Sequence, residues 1–238
     1  MRQAGDRDRD GEGSRREQGK GARRDAILSA ARSLIREQGP QVSVERIAQR
    51  AGISTATVYN LIGPREQLLG LLLSDQFEQL RDTVTAMNLV DPFRVGEAVV
   101  TISADMFVSD SSLWLNVIPE VRGAFGARVR PFVSFQPINL QREAMLTAKH
   151  LGMLSREADP EMTAMQIYAA YNGALFLWAG GLLTDDAFRS HARAGYWAVL
   201  AALASGEHRR RALRELNDLH GARTRRLLAG INLEASAI

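Results

Sequence analysis

From Ile27 onward the chain alternates apolar and polar positions at helical spacing. Ile27, Ala30, Ala31, Leu34 and Ile35 fall at i, i+3, i+4, i+7 and i+8, the apolar stripe of an amphipathic helix that begins near Arg23. Gly39-Pro40 ends it. Ser43 then stands as an N-cap before Val44, Ile47, Ala48 and Ala51, the inner face of a second helix that Gly52 breaks. Ser54 caps a short third helix from Thr55 to about Leu61, with Val58 and Leu61 inward. Gly63-Pro64 restarts the chain, with proline where its missing N–H does no harm. A long fourth helix follows, carrying Leu68, Leu69, Leu72, Leu73, Gln76, Phe77, Leu80 and Val84. Further helices are predicted at about 92–109, 112–126, 131–151, 160–183, 185–205 and 207–228, punctuated by Pro92, Pro119, Pro131, Pro137 and Pro160. No strand alternation or internal repeat occurs. The expected fold is all-α, with a three-helix head, a larger helical body and about nine or ten helices.

Composition sharpens the division. Residues 1–21 contain only Met1 and Ala4 as apolar side chains and cannot offset their ordering entropy by burial, so they are expected to form a disordered arm. The head is expected over 22–70, the body over 71–228 and a tail over 229–238. The net charge of +3 is unevenly spread. Residues 20–70 hold eight basic and four acidic side chains, whereas 71–206 hold ten basic and fourteen acidic. A basic head on an acidic body suggests that one end meets a polyanion.

The most informative stretch is Val44 to Leu61, VERIAQRAGISTATVYNL. Ala48 is small enough for two helices to cross closely, and Gly52 can take the positive φ that leaves the first of them. Ile47, Ala51, Ile53, Val58 and Leu61 seal the pair against the first helix. Thr55, Ala56, Thr57, Tyr59 and Asn60 remain outward, small or polar, and suit a DNA groove. This is the pattern of a helix-turn-helix.

In context, Arg24 to Leu73 resembles the tetracycline-repressor (TetR) family of bacterial regulators. The resemblance rests on the leading Ile-Leu-x-Ala-Ala helix, Ser43-Val44-x-x-Ile47-Ala48, the Ala51-Gly52-Ile53-Ser54 turn, Thr57-Val58-Tyr59, and Glu66-x-Leu68-Leu69. Two departures stand out: Leu61-Ile62 replaces an aromatic-containing pair, and Pro64-Arg65 stands where the family commonly has lysine. The resemblance implies a dimeric, ligand-responsive regulator, a repressor that a double-stranded palindromic operator binds and a small, mostly apolar effector releases. Thr55 and Asn60 are implied to reach base edges, Thr57 and Tyr59 to clamp phosphates, and Ser43, Val44, Ser54 and Arg65 to hold backbone at helix N-termini. Lys20, Arg23 and Arg24 either contact DNA or form an ordinary solvated basic stretch. With no lysine or arginine on the third helix, base readout cannot use arginine–guanine forks from it.

The body, 71–228, is implied to bind ligand and dimerise. Helices 160–183 and 185–205 are rich in small and apolar residues and are the candidate homodimer pair, the alternative being plain core helices. Met106, Phe107, Trp114, Phe125, Phe135, Met145 and Tyr171 are candidate pocket residues. Arg130 and Arg142 leave an acidic ligand open. The basic helix 207–228 either packs, caps the dimer or touches DNA.

Other classes fit poorly. The chain has no cysteine, which excludes disulfides, thiolate metal sites and a cysteine nucleophile. No GxSxG, P-loop, GxGxxG or HExxH occurs, and His150, His191, His208 and His220 lack metal-like spacing, so neither enzyme, cofactor nor metal is expected. No apolar run is long enough to span a bilayer and no signal core begins the chain, so a cytoplasmic, non-membrane protein is expected.

Overall fold

The computed structural model describes residues 7–124 and 136–235, with side chains over 18–121 and 137–221. Among the described residues ten helices follow one another: α1 (Arg7–Gln38), α2 (Val44–Arg50), α3 (Thr55–Leu61), α4 (Arg65–Ala86), α5 (Pro92–Ser109), α6 (Ser111–Ala124), α7 (Gln136–His150), α8 (Pro160–Ala179), α9 (Asp185–Leu203) and α10 (Gly206–Ala235). Among the described residues, the only extended pairing is an isolated bridge between Leu154 and Ala204. The all-α expectation holds.

One boundary differs plainly from the sequence reading. Helix α1 starts at Arg7, inside the segment expected to be a disordered arm, and so runs more than five turns ahead of the apolar stripe that begins at Ile27. Arginine, glutamate and glutamine are good helix formers and can extend a helix that Ile27 and Leu28 anchor by burial. At the other end, α10 runs on to Ala235, beyond the residue-228 limit expected. The pocket candidates Phe125 and Phe135, together with Arg130, lie outside the described residues.

Two compact units emerge, and they do not follow the chain order. The first holds the chain through Asp75 together with α6, and so joins a later helix to the head. Within it α1 packs on α2, α3 and α6, and α2 packs on α3. Ile27, Leu34, Ile47, Ala48, Val58, Ile62, Leu68 and Leu72 form its buried interior with Leu113, Trp114 and Val117 of α6. Ile62, rather than the expected Leu61, fills the inner position after α3, so the departure from the aromatic-containing pair is a core substitution.

The second unit runs from Gln76 through α5 and takes up the chain again with α7 to α10. Here α8 packs on α7 and α9, α5 packs on α7 and α9, and α10 packs on α9. Aromatic side chains fill the centre: Phe93, Phe107, Trp178, Phe188, Tyr196 and Trp197 are almost wholly buried, with Trp178 stacked on Phe188 at 5.1 Å. Asp91, Asp159 and Thr184 cap α5, α8 and α9 through their side chains, with proline opening α5 and α8.

Candidate nucleic-acid interface and ligand cavity

The corner between α2 and α3 is built by backbone geometry. Gly52 adopts φ +69°. Its N–H bonds the Gln49 carbonyl at 3.2 Å, and the Ile53 N–H bonds the Ala48 carbonyl at 3.0 Å, the paired bonds of a Schellman C-cap. Ala48, 1% exposed, lies at the helix crossing as its size requires. Ser54 then caps α3: its Oγ accepts from the Thr57 N–H at 3.1 Å and lies 2.8 Å from Thr57 Oγ1. Ser43 caps α2 in the same manner, accepting from the Arg46 N–H at 3.4 Å.

On this frame α3 turns one residue, Val58, fully inward, with Leu61 half-buried behind it. Tyr59 is 48% exposed, Ala56 and Asn60 are exposed, and Thr55 and Thr57 are half-buried. Val44 buries its side chain, which leaves only its backbone N–H for the contact expected of it. Lys20, Arg23 and Arg24 are all exposed on α1. Arg46 and Gln49 are exposed on α2, and neither was singled out in the sequence; their signal was the polar phase of the helix that buries Ile47 and Ala48.

Arg65 is engaged elsewhere. Its guanidinium pairs with Glu120 of α6 at 3.1 Å and also donates to the Pro40 carbonyl. The lysine-to-arginine departure at the start of α4 therefore ties the head to α6, and Gln41 donates to the same Glu120 carboxylate at 3.3 Å. A phosphate would have to compete with that carboxylate for Arg65.

In the second unit a small cavity of about 10 Å³ lies among α5, α7 and α8. Val99, Val100, Ser103, Pro137, Gln141, Ile167, Tyr168 and Tyr171 line it. Ser103 Oγ and Tyr171 Oη are 2.7 Å apart, and burial pushes the Tyr171 phenol well up, so that it stays neutral. Of the sequence candidates that fall within the described residues, Tyr171 alone belongs to the lining. Phe107 and Met145 are core residues, Met106 packs against the Leu80–Val84–Ala98–Val99 cluster, and Trp114 is buried in the other unit. Bulk and aromaticity marked core instead, because a helical body needs large apolar side chains whether or not it holds a ligand. Arg142, kept as an anchor for an acid, is paired with Glu161 at 2.7 Å and lies outside the lining.

Beside the cavity, an ion cluster fastens α5, α9 and α10. Glu97, only 7% exposed, accepts from Arg94 at 2.5 Å, Arg193 at 2.6 Å and Trp197 Nε1 at 3.0 Å. Arg94 and Arg193 also bind Glu215 of α10, and Arg211 of α10 binds Asp91. Burial by itself raises the Glu97 pKa, but these donors outweigh it and hold the carboxyl below its ordinary value. Asp91 behaves alike: burial is outdone by Arg211 and the Phe93 N–H.

The outer faces of α8 and α9 are apolar. Met162, Met165, Ala169, Gly173 and Leu177 form an exposed stripe along α8. Next to it an open groove of about 410 Å³ is lined by Ala170, Gly173, Ala174 and Leu177, by His191, Ala194, Gly195 and Ala198 of α9, and by Leu216 and His220 of α10. Close packing explains the small residues, since a Cβ on Gly195 would lie 3.1 Å from the Ala170 Cβ.

Among the described residues no group of three metal-ligating side chains occurs, and no helix is long and apolar enough to cross a membrane. The fold and the outward face of α3 define a helix-turn-helix motif within an all-helical set of described residues. Residues 27–69 match the family model described as "Bacterial regulatory proteins, tetR family". No curated relative matches it. Three solved structures illustrate the likeness in fold. Thermus thermophilus FadR, a TetR-family repressor in complex with lauroyl-CoA, is 21% identical over 74% of this chain and 93% of its own, with a TM-score of 0.63. RolR in complex with resorcinol is 22% identical, covering 82% and 95%, with a TM-score of 0.58. SmeT, the repressor of a Stenotrophomonas maltophilia multidrug efflux pump, is 21% identical, covering 78% and 92%, with a TM-score of 0.58.

Proposed function

We propose that the chain is a cytoplasmic, homodimeric repressor that inserts α3 into the major groove of a palindromic operator and lets go when a small, mostly apolar effector binds its body. The observation that carries this reading is α3 itself: a capped rod with a single buried residue, offering Thr55, Thr57, Tyr59 and Asn60 outward. Thr55 and Asn60 are assigned to base edges, and Thr57 and Tyr59 to phosphates. Ser43, Val44 and Ser54 present helix N-termini, and Lys20, Arg23 and Arg24 add positive charge from α1. One head reads few base pairs, so a twofold pair is needed. The exposed stripe of α8 and the groove beside α9 support pairing there, because so continuous an apolar surface is costly to leave in water.

The test is a gel shift of the full-length protein against its own upstream DNA at fixed salt, with competitor DNA present. Binding that withstands competitor supports the reading, and binding that tracks competitor concentration overturns it. Sedimentation of Leu177→Asp should give a monomer where the parent gives a dimer. A dimer that persists in this variant removes α8 from the interface.

A further inference from the structure

The chain enters the helix-turn-helix through Pro40 and Gln41 and leaves it through Gly63 and Pro64, so the motif hangs between two short connections. Gly39 and Gly63 both hold positive φ, +83° and +97°, which sets where each connection bends. One side chain joins the two. Arg65, the first residue of α4, donates through Nη2 to the Pro40 carbonyl and through Nη1 to Glu120 Oε2 of α6 at 3.1 Å. The other oxygen of that carboxylate accepts from Gln41 Nε2 at 3.3 Å. Entry, exit and α6 are thus tied together, and both side chains of the ion pair are only 28% exposed. Between these ties the motif is stiff, because the Gly52 corner fixes α2 on α3. Val58 is the one fully buried residue of α3. With so little of α3 anchored, its direction depends on how the two ends of the motif are held.

We infer that Arg65 and Glu120 are positioning residues for operator recognition, which fix the direction of α3 and touch no DNA. The inference rests on the reading that α3 enters an operator. A guanidinium is a planar fork, and here both terminal nitrogens are already matched to acceptors. Turning it toward a phosphate would strip a part-buried carboxylate and a carbonyl of the donor they share, which opposes the exchange. Glu120 stands outside the motif, on α6, yet it closes the tie from both sides by taking Arg65 on one oxygen and Gln41 on the other.

The test is fluorescence anisotropy of the full-length protein over a series of salt concentrations. It compares the protected segment of the protein's own upstream DNA with a scrambled duplex of equal length. Arg65→Gln and Glu120→Ala should each lower the ratio of the two affinities about 10-fold, because a misdirected α3 loses base contacts before phosphate contacts. The salt slope should stay as in the parent, and the double variant should lose no more than Arg65→Gln alone. A slope lowered by about one in Arg65→Gln, with the ratio kept, would mark a phosphate contact and overturn the inference. A parent-like ratio in Glu120→Ala, or losses that simply add, would do the same. If these variants do not fold, the Glu120 carboxyl resonance of the parent decides. It stays in place on adding operator if Arg65 keeps its partner, and a shift overturns the inference. A parent that binds both duplexes equally removes operator recognition itself, whereas variants that match a discriminating parent remove only the tie.

Discussion

In the head, position is set locally. Ser43 and Ser54 each cap a helix of seven residues, Gly52 turns the chain between them, and the side chains of α3 face outward because a single residue, Val58, holds it to the core. In the body, position is set by distant partners: Glu97 of α5 is gripped by two arginines and a tryptophan, and the same arginines reach Glu215, 121 residues further along from Arg94. A local device fails alone, whereas a shared cluster fails together. The contrast teaches that the head and the body are stabilised by different physics and should respond differently to mutation and to pH.

The largest effect should come from Glu97→Ala. It leaves Arg94, Arg193 and Trp197 Nε1 without their shared acceptor, and urea unfolding should show a loss of about 3 kcal/mol. A double substitution of Glu97 and Arg193 that cost the sum of its singles would show the cluster to be no cluster. Next in size is Gly52→Ala. Nothing crowds a Cβ there, so the penalty is the positive φ alone, about 1–2 kcal/mol, accompanied by weaker DNA binding. Ser54→Ala removes a cap and should cost about 1 kcal/mol by the same measurement.

Acid separates the two ends in another way. Because Glu97 and Asp91 have folded pKa values below their unfolded ones, their stabilisation is fully present above the ordinary carboxylate range. It is lost as pH falls through the lowered folded values. A pH series of unfolding midpoints should therefore show a fall in acid that Glu97→Gln reduces. An unchanged acid slope in that variant would mean that the cluster does not govern the body. The smallest effect on folding should be that of Thr57→Ala or Tyr59→Ala, both at the outer face, yet each should weaken binding to all DNA sequences alike. A switched sequence preference at undiminished affinity, measured by fluorescence anisotropy, would move these residues from phosphate to base contact.

The head was legible because its signals are short-range. Apolar spacing, two serine caps and one glycine each constrain the residues beside them, and together they gave the helix order and the outward face of α3. The body's helices were legible for the same reason, to within a few residues at most ends. Its cavity was not. The sequence pointed to large aromatic and methionine side chains, yet among the described candidates only Tyr171 lines it. Gln141, buried against Gly96, is a polar side chain in an amphipathic helix and looks like any solvated position until its neighbours are known.

Period, capping and turn chemistry act over a few residues, so the sequence alone determined an all-helical chain with a helix-turn-helix near its start. Only tertiary structure could decide which distant groups meet. It joined α6 to the head, turned Arg65 toward Glu120, drew Glu97 into a cluster spanning three helices and left the Gln141 amide oxygen unmet against Gly96. Those outcomes depend on how packed helices bring side chains together across more than a hundred residues, and no local pattern in the chain encodes them.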